Sequence, residues 1–170
     1  MSIRIQAGFT TPTTTGQAEA AAVEATRIVF SELNGRFQDA IGAKVWDWPR
    51  NLPTRGLPGA TLREKLAAYN RGQGTAPGSP RNIVDSGSLR QSNLFRLQGF
   101  TGEFSWSAKY AGYVHEGARI HPWGDRSRRV YLPGRPWTSA VLGSELISGV
   151  PVHPTADRLR DVWLALIRNR

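Results

Sequence analysis

From Gln17 onward the apolar residues Ala22, Ala25, Val29, Leu33, Phe37 and Ala40 recur at intervals of three and four. That spacing marks one face of an α-helix, and it predicts a helix that fades between Gly42 and Trp46. Thr14 and Gln17 stand three apart, as a capping box requires. The hydroxyl takes a free backbone N–H and the amide reaches back. Gly35 weakens the helix and is the natural place for a kink. Upstream, Ile3 and Ile5 alternate with Ser2, Arg4 and Gln6, a short strand pattern. Residues 7–16 are rich in Thr, Gly and Pro, so residues 1–16 read as an N-terminal arm.

The pattern changes in the middle of the chain. Residues 46–80 hold Trp46, Trp48, Pro49, Pro53, Pro58 and many glycines, and read as an inserted loop region. Thr61 and Glu64 form a second capping box there and open a short helix through Leu62, Leu66 and Tyr69. Residues 72–80 carry few side chains able to pack and read as mobile.

From Asp85 the period shortens. Asp85 is placed to cap a short helix carrying Leu89. Leu94, Arg96 and Gln98 alternate with Phe95 and Leu97. A turn over Gly99 to Gly102 follows, and then Phe104 and Trp106 alternate with Glu103 and Ser105. This is a β-hairpin pattern. Tyr110 to Val114 suits a helical turn, Arg129 to Leu132 a strand, and Pro136 to Ser144 another turn. A final helix runs from Thr155 to about Arg168, with Leu159, Val162, Trp163 and Ile167 on its apolar face. The fold class is α+β: a small antiparallel sheet packed with a long N-terminal helix and a C-terminal helix, as a single domain over 1–170.

Composition adds three bounds. There is no cysteine, which excludes disulfides and thiolate metal sites. No apolar run approaches the ~20 residues of a membrane span. The first residues lack a signal-peptide core, so assembly in the cytoplasm of the producing cell is the expectation. The net charge of +9 favours a polyanionic neighbour, although it serves solubility or an acidic protein partner equally well. Its densest patch is Arg126, Arg128 and Arg129.

Candidate chemistry is sparse. His115-Glu116 with His121 is the one hint of a metal site. A zinc-protease helix places its two histidines four apart; here they are six apart, across Gly117. There is no nucleophile elbow and no phosphate-cradling loop. No enzyme activity and no cofactor are expected. The six tryptophans divide by position. Trp106 and Trp163 lie on patterned faces and suit a core. Trp46, Trp48, Trp123 and Trp137 stand at loop ends, where aromatics serve as core or as interface anchors.

Three short signatures follow one another in order. The first is Asp85-Ser86-Gly87-Ser88-Leu89-Arg90-Gln91-Ser92. The second is Tyr110-Ala111-Gly112-Tyr113-Val114-His115-Glu116-Gly117. The third is Pro133-Gly134-Arg135-Pro136-Trp137. With the hairpin between the first two, this series resembles the tail-completion (neck, or head–tail connector) proteins of tailed bacteriophages. Ser86 replaces a Thr and Trp137 a Phe of that pattern.

The resemblance implies a structural virion protein at the head–tail junction. It implies a closed homo-oligomeric ring, on the order of six or twelve copies, between the head-closure ring and the tail terminator or tube. It marks Asp85, Gly87, Leu89, Arg90, Tyr110, Tyr113, Glu116, Gly117, Arg135, Pro136 and Trp137 as motif or interface positions. Arg135 would pair with a carboxylate across a subunit boundary. Arg126, Arg128 and Arg129 would lie on an exposed loop touching a neighbouring ring or genomic DNA. The alternative from a different class is a stand-alone basic DNA-binding protein. That reading rests on arginines interleaved with Trp123 and Tyr131.

Overall fold

The computed structural model describes residues 1–8, 16–46, 83, 87–121 and 129–169. In chain order the elements are β1 (Ser2–Gln6), α1 (Gly16–Gly42), α2 (Ser88–Gln91), β2 (Asn93–Gln98), β3 (Thr101–Trp106), α3 (Ala111–Glu116), β4 (Ala118–Ile120), β5 (Val130–Leu132), α4 (Trp137–Leu142) and α5 (Thr155–Arg168). The Thr14 cap, the helix expected after Thr61, the 72–80 segment, Asp85, Trp48, Trp123, Arg126 and Arg128 lie outside the described residues.

Helix α1 buries Ala22, Ala25, Val29, Leu33, Phe37 and Ala40 as its periodicity requires, together with Phe30 and Ile41. Gly35 does not interrupt it. At its end the Trp46 indole N–H donates to the Ala40 carbonyl at 2.8 Å. The same carbonyl also accepts from the Ala43 N–H at 3.2 Å, so the indole takes its second lone pair at the helix end.

The main sheet is antiparallel, with strand order β1-β3-β2. The N-terminal arm expected over 1–16 therefore begins as an edge strand: Ile3 stands opposite Phe104 and Ile5 opposite Gly102. On the other side Phe95 faces Phe104 and Leu97 faces Gly102. The hairpin turn is tighter than its glycines indicated, because Thr101 and Gly102 belong to β3.

Alternation sends Gly102, Phe104 and Trp106 inward. There Phe104 stacks on Phe95 at 4.9 Å and meets Phe37 edge-on at 5.2 Å. A side chain at Gly102 would collide with the Phe30 ring, so the missing Cβ lets α1 lie close to the sheet. Trp106 then touches Trp137 edge-on at 5.5 Å, which carries the core from the sheet into α4. Trp46 and Trp137, two of the loop-end tryptophans, are fully inside this core.

Helix α5 packs on α1. The Arg158 guanidinium grips the Glu32 carboxylate with two bonds, at 2.8 and 2.9 Å. The Trp163 indole N–H donates to Ala18 at 3.3 Å. None of the residues of α5 is fully buried. Leu159, Val162 and Trp163 are half-buried, whereas Ile167, expected on the same face, is exposed. The fold is α+β, with helices at both ends of a small antiparallel sheet.

Candidate functional site

The second and third signatures close on each other. Strands β4 and β5 pair antiparallel, with Ala118 opposite Leu132 and Arg119 opposite Tyr131. That ribbon folds the end of α3 back against Gly134-Arg135. The Arg135 backbone N–H donates to the carbonyls of both Val114 and His115 at 3.0 Å.

Gly117 takes φ 86° and ψ 160°, a conformation reserved for glycine. A Cβ there would stand 2.7 Å from the Gly134 nitrogen and 2.9 Å from the Leu132 carbonyl oxygen. A Cβ on Gly134 would stand 2.8 Å from the Glu116 carbonyl oxygen. The two glycines thus let two backbones touch where the second and third signatures meet.

His115 sits over this junction. Its Nε2 lies 2.7 Å from the Thr138 hydroxyl. Its ring meets Trp137 edge-on at 4.7 Å. Burial holds the imidazole below its ordinary pKa, against the opposing pull of Glu116. The neutral ring is therefore the resident form, and it holds α3 to α4. Thr138 had no signal in the sequence; only the fold brings it to His115.

The first signature contributes differently. Leu89 is buried. The N-cap of α2 is Gly87 at φ 79°, so the helix begins directly after this glycine. Arg90 is exposed at the end of α2. Pro136 is the N-cap of α4, and Trp137 is wholly enclosed.

Arg135 corrects an expectation. Its side chain is 1% exposed, inside its own fold, and does not reach across a subunit boundary. Charged side chains are seldom this enclosed, and local sequence gave no reason to expect it. Tyr110, Tyr113, Glu116 and Arg129 are exposed.

Four arginines of α1 and α5 have carboxylate partners: Arg27 with Glu24 at 2.6 Å, Arg36 with Asp39 at 4.0 Å, Arg158 with Glu32 at 2.8 Å and Arg160 with Asp161 at 3.2 Å. Among the described residues, Arg4, Lys44, Arg90, Arg96, Lys109, Arg119, Arg129 and Arg168 have no such partner.

A cleft of ≈ 360 Å³ lies elsewhere, between the end of β1 and α5, lined by Ile5, Ala7, Phe30, Leu159 and Trp163, with Arg160 as its charged group. It holds no acid–base pair. His115 and His121 are not joined by further ligands: among the described residues, no three His, Cys, Asp or Glu side chains gather as a metal site. Nor, among them, is any helix long and apolar enough to cross a membrane.

Comparison with protein-family models, with curated proteins and with solved structures finds no match.

Proposed function

We propose that this chain is a structural component of a tailed-phage neck, working by assembly and not by catalysis. The observation that carries the reading is the role of the signature residues. Gly117, Gly134, Arg135 and Trp137 are taken up in packing one motif onto the next. A catalytic motif would instead leave polar side chains converging on a cleft. The order of the three signatures then supplies the family resemblance.

Assembly has material to work with. Leu94 is 50% exposed on β2, Leu146 82% exposed after α4, and Leu164 and Ile167 stand out on α5. Apolar residues of this size on several faces suit a ring in which each copy meets two neighbours by different surfaces. The ring would join the head-closure and tail proteins and would reside in the virion.

The test is cryo-electron microscopy of particles from the source phage. Ring density at the head–tail junction that fits the α1-on-sheet core is the expected result. Intact particles lacking this chain would refute the reading.

A further inference from the structure

We infer that the exposed face built by α3 and the β4–β5 ribbon binds single-stranded nucleic acid. The inference does not rest on the neck reading, and it holds or fails separately. The ribbon pairs Arg119 with Tyr131 directly across the strands. Cross-strand partners share one face, with Cβ atoms about 5 Å apart. Both side chains point to solvent, Tyr131 at 62% exposure. Arg129 is exposed one residue before the ribbon strand. On the element leading into the ribbon, Tyr113 is 65% and Tyr110 42% exposed, beside an exposed Lys109.

Two independent features make this face a binding surface. First, it carries three exposed cations. Lys109, Arg119 and Arg129 lack carboxylate partners among the described residues, whereas Arg27, Arg36, Arg158 and Arg160 have them. Among the described residues from 107 to 135, Glu116 is the one carboxylate. Second, three tyrosine rings are left open to solvent in the same stretch, although the core accepts Trp106 and Trp137 completely.

Exposed cations interleaved with exposed rings meet the two needs of a single strand. Phosphates are neutralised, and unstacked bases find a flat apolar surface. A duplex keeps its bases stacked on one another and would use the cations alone.

The experiment is fluorescence anisotropy of a labelled oligothymidylate with the full chain, titrated with salt. Three phosphate contacts predict a slope of log K against log salt of about −2. Between about 50 and 200 mM salt that is a loss of roughly 20-fold.

The double variant Arg119→Ser/Arg129→Ser should bring the slope to about −0.7. Tyr131→Leu should weaken binding by at least about fivefold while leaving the slope unchanged. Arg27→Ser removes one positive charge from the helical layer and should leave affinity within about twofold. These are surface changes, and an unaltered thermal midpoint shows that each variant is folded. Absence of binding at low salt would overturn the inference. So would equal losses from Arg27→Ser and the double variant, or a duplex bound as tightly as the single strand and indifferent to Tyr131→Leu.

Discussion

Replacing Gly117 by Ala should be among the most damaging single-carbon changes in this protein. Two separate costs arise at that position. The backbone at φ 86° and ψ 160° lies where only glycine is comfortable, and holding Ala there costs about 1–3 kcal/mol. The added carbon would also press on the Gly134 nitrogen at 2.7 Å and the Leu132 oxygen at 2.9 Å. These are backbone atoms, in the ribbon strand and just after it, so they cannot swing aside as a side-chain tip would. Overpacking of this kind costs about a further 1–3 kcal/mol.

Against these stands the lowered entropy of the unfolded chain, worth about 0.4–1 kcal/mol. The net expectation is a loss of about 1–5 kcal/mol. Whole domains have about 5–15 kcal/mol to lose. Urea denaturation followed by tryptophan fluorescence reads the effect as a lower midpoint at unchanged slope. Gly112→Ala is the internal control. That glycine sits inside α3 with nothing near its missing Cβ, so Ala there should be neutral or stabilising by up to about 1 kcal/mol. If Gly117→Ala proved no worse than Gly112→Ala, the argument that the two signatures meet through their glycines would be wrong.

Three further outcomes follow from the same structure. Gly102→Ala should cost about 1–3 kcal/mol by pushing on the Phe30 ring, and Phe30→Leu in the same chain should recover part of it. A double-mutant cycle that gives simple additivity would contradict this contact. Trp46→Phe should cost roughly 0.5–1.5 kcal/mol by removing the N–H bond to Ala40, measured as a lower denaturation midpoint.

Stability should also fall with acidification in two stages. Burial depresses the folded-state pKa of His115 and of His153, so the unfolded chain takes up protons more readily than the folded one. The folded state is therefore favoured above about pH 6.5 and loses ground as pH drops through that value. Glu32 is held below the usual carboxylate range by its hydrogen bond from Arg158, so its contribution is present at neutral pH and is lost at lower pH still. His115→Asn should flatten the first stage, and a wild-type midpoint that did not move between neutral pH and about pH 5 would refute it.

The elements that could be read from the sequence are those whose pattern is local. The α1 stripe from Ala22 to Ala40, the alternation through Phe95 and Phe104 and the face of α5 each repeat often enough to declare themselves. What escaped depends on distant partners. Strand β4 is three residues long and exists because β5 pairs with it. Trp137 follows Pro136 and looks like a loop anchor until Trp106 is brought beside it by the hairpin. Arg135 carries a charge that argues for the surface, yet its neighbours enclose it. The motif residues were legible as a set. Their mutual contact was not, because the Gly117 and Gly134 approach is a property of two backbones and has no side-chain signature.

The strand order carries a kinetic consequence. The Met1 amine bonds the Trp106 carbonyl across 105 residues of chain. Strand β1 is thus translated first but can dock only after β3 has left the ribosome. At ~5–20 residues per second that is a wait of roughly 5–20 s. During this interval Ile3 and Ile5 have no sheet to join, while α1 and the β2–β3 hairpin can form from neighbouring residues. Strand β1 should therefore be the last piece of the sheet to settle. In the finished protein its amides should exchange with solvent faster than those of β3, because an edge strand closed over so long a loop is the first part to let go.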